Sequence, residues 1–142
     1  AVIQSDSLLF YSNYSSPQFV NWFNKSLFTT GDHPARLVPF KGYIAPPLDG
    51  IWATAPYLHN GSVPSLETLL NSKLRPKYWS RDFKNPQYNI DSPGWKYVEE
   101  TSAKNKDTYN TTVKGYSNSG HTFGDKLSNE DRTAVIEYLK TL

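Results

Sequence analysis

Residues 51–64 read IWATAPYLHNGSVP, and this stretch decides most of what the sequence predicts. Aromatic and hydrophobic residues alternate with small ones, an Asn-Gly pair then indicates a turn, and a helix begins soon after. The pattern predicts a buried loop, held by Trp52 and Tyr57, that delivers the imidazole of His59 to the interior. The alternative is that His59 is a core histidine whose ring is hydrogen-bonded to the backbone.

Apolar residues at helical spacing flank this loop on both sides along the chain. The predicted helices are 17–28, 64–72 and 129–141. Their cap residues are predicted to be Ser15 or Ser16, Ser62, and Ser128, in that order. Pro64 is expected in the first turn of the second helix, where its missing N–H is harmless.

Two other segments lack a sustained period. Residues 29–49 contain so many Pro and Gly residues that they predict a connector without long regular elements. Residues 74–119 mix Asn, Lys, Ser and Gly with scattered aromatics, which predicts a long loop with short strands at most near 95–98 and 111–114. The sequence therefore predicts a mainly α, loop-rich fold with little sheet.

Composition excludes several classes of protein. The 142 residues carry 15 Lys+Arg and 13 Asp+Glu, a net charge of +2 that provides no basic field for nucleic acid. The chain has no cysteine, which excludes zinc fingers, iron–sulfur clusters, cysteine nucleophiles and haem attachment through C-x-x-C-H within this chain. No apolar stretch approaches the ~20 residues of a membrane span, and no hydrolase motif occurs.

Three histidines are the side chains best suited to bind a transition metal or to titrate near neutrality. None of them forms a spaced pair, so a zinc site would need all three from separate loops and is disfavoured. His33 sits in a polar turn and is expected at the surface. His121 lies between glycine and threonine in a second distinctive stretch, NSGHTFG at 118–124.

At this point the sequence resembles a family. Residues 47–66, PLDGIWATAPYLHNGSVPSL, resemble a motif near the C-terminus of dihaem cytochrome c peroxidase-like proteins, in the branch that includes the rubber oxygenases. Residues 118–124 are similar to that branch's G-H-E-F-G element, and the terminal helix follows. The resemblance predicts a compact unit over 43–142, part of a longer protein, after an N-terminal helical segment and connector over 1–42. The start at Ala1, without Met, agrees with a processed or excised product.

The resemblance implies a fold similar to the distal half of a cytochrome c-type domain. It also implies a function, as the C-terminal portion of a periplasmic or secreted haem-c oxidoreductase of the peroxidase or oxygenase kind. This chain would form the distal haem wall and support electron transfer, and it would not be catalytic alone. The haem c would be attached outside this chain, on an N-terminal region or another chain, and an electron-donor protein is a further expected partner.

The resemblance also assigns site residues. His121 would be the axial ligand of the haem iron, with Phe123 stacked on the macrocycle. A ligating imidazole also needs a partner for its second nitrogen, and Asp125 is close enough in sequence to hold it through a turn. The residues of the first loop implied in cofactor binding are His59, Trp52 and Tyr57. Backbone carbonyls of Thr54 and Pro56 match calcium ligands of the peroxidases.

One departure from the peroxidases is clear. Their axial Met falls at Lys73 here, and the chain has no Met, so a His/Met haem is excluded. A bis-histidine haem is instead a low-spin electron-transfer centre. Lys73 and Tyr78 could also serve as ligands, although their polar surroundings favour surface positions. The alternative for His121 is an ordinary turn histidine.

A different class of function remains open. A haem-free binding or structural module, such as a degenerate descendant of the family, could bind a polymer or a partner protein through an aromatic-rich surface. The aromatic residues that would form this surface are Trp79, Tyr88, Trp95 and Tyr97. The absence of cysteine is compatible with this function as well as with a haem attached elsewhere.

Overall fold

The computed structural model describes residues 16–39 and 45–142. They fall into two compact units, one that ends at Pro46 and one over Pro47–Leu142. The cap candidate Ser15, with the rest of 1–15 and residues 40–42, lies outside the described residues. The predicted domain division at residue 42 stays a prediction.

The first unit contains helix α1, Pro17–Phe23, and a 3-10 turn, Leu27–Thr29. Ser16 is the N-cap residue, although its side chain makes no cap hydrogen bond, and the helix is shorter than the predicted 17–28. Its C-cap residue is Asn24, whose side-chain amide pairs with the backbone of Leu37: Nδ2 donates to the carbonyl at 2.8 Å and Oδ1 accepts from the N–H at 2.9 Å. This pairing fixes the returning chain beside the helix terminus.

Helix α2 spans Leu66–Leu70, inside the predicted range 64–72. Its N-cap is Ser65 rather than the predicted Ser62, and Pro64 precedes the helix instead of lying in its first turn. The reason is a capping box, in which the Ser65 hydroxyl accepts from the N–H of Thr68 and the Thr68 hydroxyl accepts from the N–H of Ser65. A 3-10 turn, Ser72–Leu74, follows.

Helix α3 spans Asn129–Leu139, which confirms the predicted C-terminal helix and its cap. The Ser128 hydroxyl accepts from the N–H of Asp131 at 3.0 Å and donates to its carboxylate at 2.7 Å. Arg132 and Ile136 are the buried residues of the helix and face the rest of this unit.

Five short strands make the prediction of a mainly α fold wrong: the second unit is mixed α/β. The strands are β1 Tyr78–Ser80, β2 Tyr88–Asn89, β3 Gly94–Trp95, β4 Val98–Glu99 and β5 Thr108–Asn110. One antiparallel sheet has the order β4-β1-β5, and β2 pairs with β3 in the other. Because each strand has only two or three residues, no alternation of period 2 marks them in the sequence.

The two strands predicted from sequence are also corrected. The segment 95–98 contributes to two different sheets, and 111–114 is a turn that follows β5. In the three-stranded sheet Trp79 is opposite both Glu99 and Tyr109. The sheet therefore draws the long middle segment back against β1.

The core of the second unit lies where the first loop meets helices α2 and α3. Its buried members are Ala55, Tyr57, Val63, Leu66 and Ile136. Two glycines permit close approach of backbone segments: a Cβ at Gly94 would lie 2.6 Å from the carbonyl oxygen of Pro64, and one at Gly124 would lie 2.4 Å from that of Leu70. In the described part of the chain, no helix has the length and apolar character needed to cross a membrane.

Candidate functional site

Aromatic side chains hold the loop at residues 51–64 by its carbonyl groups. Their hydroxyl or indole N–H groups donate as follows: Tyr57 to Ile51 at 3.0 Å, Tyr88 to Trp52, Trp95 to Ala55 at 2.7 Å, Tyr109 to Asn60 at 2.7 Å, and Trp79 to Ser62 at 3.1 Å. The Ile51 carbonyl also accepts from the N–H of Thr54, at the end of the 3-10 turn Ile51–Ala53. The other four donors satisfy loop carbonyls that no regular secondary structure pairs. Burial raises the pKa of Tyr57, so its hydroxyl keeps the proton that it donates.

These contacts change the interpretation of the aromatic middle segment. Trp79 is only 4% exposed and stacks on Tyr109, with ring centroids 5.3 Å apart. Tyr88, Trp95 and Tyr97 are half-buried. The predicted aromatic-rich surface is wrong for Trp79, because its indole is packed in the interior and anchors the loop.

Burial along the loop is uneven. Ala55 and Tyr57 are buried, as predicted, and Trp52 is half-buried. Thr54 and His59 are exposed, which contradicts the prediction of a largely buried loop that delivers His59 to the interior. The loop turns its apolar side chains inward and presents His59 outward.

Asn60 attaches a distant segment to this loop. Its Nδ2 donates to the carbonyl oxygens of Gly115 at 3.2 Å and Ser117 at 2.8 Å, and its Oδ1 accepts from the N–H of Ser62. The Ser62 hydroxyl donates to Ser117 as well. Residues 115–117 are thereby fixed just before the stretch that carries His121.

Arg75 then fixes His121 itself. Its guanidinium donates five hydrogen bonds, all to backbone carbonyl oxygens: Thr68 at 3.0 Å, Leu69 at 2.9 Å, Asn118 at 2.7 Å, Gly120 at 2.6 Å and His121 at 3.0 Å. Two of these acceptors belong to α2, near whose C-terminus a cation is favourable. The other three belong to the loop before and at His121, so one side chain joins helix and loop.

The His121 imidazole is half-buried on a residue with φ of 49°. Burial, the charge of Arg75 and the nearby His59 all lower the pKa of His121. The structure therefore brings together the two histidines that the sequence singled out, and the lowered pKa of His121 favours its neutral form. The Phe123 ring lies edge-on to it, with centroids 6.3 Å apart, and is 65% exposed.

Asp125 has a different partner from the predicted one. Its carboxylate accepts from the N–H of Ser72 at 2.8 Å and from the Ser72 hydroxyl at 2.6 Å. These hydrogen bonds lower the pKa of Asp125. Asp125 joins the 3-10 turn Ser72–Leu74, which follows α2, to the 3-10 turn Phe123–Lys126 and is engaged there, not on His121.

The residues fit one part of haem c binding and not another. An axial ligand must be a neutral imidazole. The lowered pKa of His121 favours that form, and its ring is partly accessible and adjacent to an exposed aromatic ring. Covalent attachment does not fit this chain, because it has no cysteine.

The expected calcium ligands lie in the same loop. Thr54 is exposed and Pro56 is half-buried. Across residues 16–39 and 45–142, no three His, Cys, Asp or Glu residues cluster as they would around a metal ion. Calcium binding at this loop gains no support from nearby carboxylates.

Sequence reasoning missed two arginines that organise the site. Besides Arg75, the buried Arg132 donates from α3 to the carbonyl oxygens of Leu70 at 3.3 Å and Leu127 at 3.0 Å, and to Asn129 Oδ1 at 2.9 Å. The last carbonyl groups of a helix have no donor within the helix, so the predicted C-terminus of α2 indicates that a nearby cation is needed. Sequence alone does not tell which cation reaches them.

Comparison with known proteins gives the site a context. The model of a family described as RoxA-like, cytochrome c-like matches residues 42–80. Uncharacterized protein y4iJ of Sinorhizobium fredii (strain NBRC 101917 / NGR234) is 41% identical over 111 residues, which cover 70% of this chain and 18% of that protein. Uncharacterized protein y4iM of the same strain is 36% identical over 126 residues, 75% of this chain and 29% of that protein. The chain spans less than a third of the length of these relatives. The match over residues 42–80 supports a relation to RoxA-like cytochromes c and, through them, to haem-associated oxidoreductases.

Proposed function

We propose that residues 47–142 form the distal wall of a haem c within a larger oxidoreductase, with His121 as the axial ligand of the iron. The observation that carries this proposal is the attachment of the His121 loop to the family-matched segment through Arg75. His121 lies outside that segment in sequence, but Arg75 and α2 lie within it. The matched segment and the histidine thus act as one structural unit.

The side chains have separate roles in this proposal. His121 provides the ligand nitrogen, and its lowered pKa favours the neutral imidazole that a metal ligand requires. Phe123 presents an exposed ring beside it, suited to cover an apolar macrocycle. Arg75 holds the loop backbone and contributes no atom to the iron. A haem with two axial histidines stores and passes electrons and leaves no open position for substrate.

The remaining parts of the proposed function lie beyond this chain. Because the chain has no cysteine, the C-x-x-C-H motif would belong to another region of the protein or to another chain. The relatives are several times longer than the matched residues, which leaves room for such a region. Haem c attachment is typical of exported proteins, so a periplasmic location and an electron-donor protein belong to the same proposal.

The test uses the whole protein that contains this chain. His121→Gly removes the imidazole and tolerates the positive φ. We expect one haem to change from low-spin to high-spin in the visible spectrum, and added imidazole to restore the low-spin form. His33→Gly, a change at an exposed histidine of the other unit, is the matched control and leaves the spectrum unaltered.

Two outcomes contradict the proposal. If the visible spectrum of His121→Gly is unchanged, His121 is not an axial ligand of the haem iron. A native protein without a Soret band, folding cooperatively, rejects the haem function and favours the haem-free module, which the lack of cysteine also permits.

A further inference from the structure

Arg81, the residue directly after β1, has an unusual environment. Its guanidinium carbon lies 4.7 Å from the centroid of the Phe83 ring and 4.3 Å from that of Trp95. The cation is thus in contact with two aromatic rings, and the Trp95 indole is itself fixed by its hydrogen bond to Ala55. Cation–π contacts of this kind hold an arginine in one place without using its N–H groups.

The hydrogen-bonding capacity of Arg81 is not satisfied. Nη1 of Arg81 is buried and has no hydrogen-bond partner among the described residues. This contrasts with Arg75, whose five hydrogen bonds all reach carbonyl oxygens. A buried donor without a partner is costly, and such a group in a native structure calls for an explanation.

Arg81 also lines an open cavity of about 500 Å³, within the size range of small-molecule sites. Residues that line it include Arg81, Lys96, Ser80, Gln87, Tyr97 and Asp82. The Lys96 ammonium is held at the cavity by Gln87, at 2.9 Å. One carboxylate oxygen of Asp82 already accepts from the N–H groups of Lys84 and Asn85.

We propose that this cavity binds a small organic carboxylate, which pairs with the N–H groups of Arg81. The planar guanidinium, fixed by two rings, matches the geometry of a carboxylate, and Lys96 adds a second positive charge at the same cavity. Among the residues that line the cavity, Arg81 and Lys96 carry positive charge and Asp82 carries negative charge. Glu100, which accepts from the lining Ser80, is paired with Lys104, so an anionic ligand is favoured. This site is independent of the haem proposal, since it involves neither His121 nor Phe123.

The test measures succinate binding to the whole protein by calorimetry. We expect the affinity for succinate to fall at least about tenfold in Arg81→Lys and in Arg81→Gln. Arg81→Lys keeps the positive charge but lacks the paired N–H donors of a guanidinium. Arg36→Gln, at an exposed arginine of the other unit, is the matched control and binds as the wild type does. Lys96→Gln should also weaken succinate binding, although Arg81 is unchanged in this variant.

A second measurement covers the case in which the Arg81 variants fail to fold. In wild-type protein, succinate should shift the Nε–Hε NMR signal of Arg81 and leave that of Arg36 in place. The proposal is overturned if succinate at tens of millimolar causes neither heat nor shift, if Arg81→Gln binds as tightly as wild type, or if inorganic phosphate binds more tightly than succinate. The haem spectrum is unchanged in every Arg81 variant, which keeps the two proposals separable.

Discussion

Nη2 of Arg75 donates a 3.0 Å hydrogen bond to the carbonyl oxygen of His121, and the same nitrogen donates to Leu69 at 2.9 Å. One atom thus joins the C-terminal part of α2 to a residue 46 positions from Arg75 in the chain. Because the acceptors are backbone groups, Arg75 sets the path of the loop, and the loop in turn sets the position of the His121 ring.

Arg75→Lys should destabilise the protein strongly. An ammonium cannot reach five carbonyl oxygens, and the buried ones left without a donor should lower the free energy of unfolding by about 2–4 kcal/mol. Urea unfolding at pH 7 measures the difference. The control is Arg36→Lys at an exposed position, expected within about 0.5 kcal/mol of wild type. Equal stability of the two variants would show that Arg75 does not hold the loop.

Gly124→Ala should be destabilising for a steric reason. The added Cβ would lie 2.4 Å from the carbonyl oxygen of Leu70 and 2.9 Å from its carbonyl carbon, both rigid backbone atoms. Separating the two segments should cost about 2–4 kcal/mol in unfolding free energy. Gly50→Ala is the comparison, because its Cβ meets nothing within 4 Å although its φ is 68°; its cost is about 1–2 kcal/mol from the left-handed backbone alone. If Gly50→Ala lowers the free energy of unfolding more than Gly124→Ala does, the backbone of Gly124 does not approach Leu70 as closely as described.

Trp79→Phe isolates one of the aromatic anchors of the loop. The substitution keeps most of the ring but removes the N–H that donates to Ser62, leaving a buried carbonyl without its partner. We expect a loss of about 1–3 kcal/mol in thermal or urea unfolding. Trp22→Phe alters a tryptophan that is 60% exposed and should change stability by no more than about 0.5 kcal/mol. If Trp79→Phe leaves the free energy of unfolding unchanged, the hydrogen bond from Trp79 to Ser62 does not stabilise the loop.

Asp125 should contribute to acid sensitivity. Its hydrogen bonds from Ser72 lower its pKa in the folded protein, so its contribution is present above the unfolded pKa of about 3.9 and is lost as the pH falls through the folded pKa. Asp125→Asn should therefore cost about 1–2 kcal/mol at pH 6 and progressively less below pH ~4. Urea unfolding at several pH values from 6 downward measures this narrowing gap.

The control for this pH dependence is Asp32→Asn, at an exposed aspartate of the other unit. Its stability should follow the wild type at every pH. A gap between Asp125→Asn and wild type that stays constant as the pH falls would mean that the Asp125 charge does not contribute through Ser72.

Local signals in the sequence determined the C-terminal helix. Ser128 and Asp131 are three residues apart, and their cap contact forms within the segment itself, so a short window contains all the information. The loop at 51–64 was recognisable in part, because aromatic and hydrophobic residues alternate there with small ones before an Asn-Gly turn. Tyr57 is buried as this pattern predicts, whereas His59 is exposed. The cap of α2 was misplaced because three serines and threonines compete there, and the contact between Ser65 and Thr68 decides among them.

The strands and the aromatic anchors required tertiary structure. A strand of three residues shows no period, and β1 exists only because β4 and β5 pair with it from far along the chain. Trp79 and Tyr97 gave the same sequence signal as surface aromatics. Only the packed structure buries Trp79, with its N–H directed at Ser62.

The positioning of His121 was decided by tertiary structure in the same way. The sequence marked the histidine by its resemblance to a family motif, but it did not indicate Arg75, whose hydrogen bonds cross 43 to 46 residues of chain. The physical reason is that every residue carries a backbone carbonyl, so no pattern of side chains identifies the carbonyl oxygens that a guanidinium will reach. Those acceptors converge only once α2 and the loop at 118–121 are folded against each other.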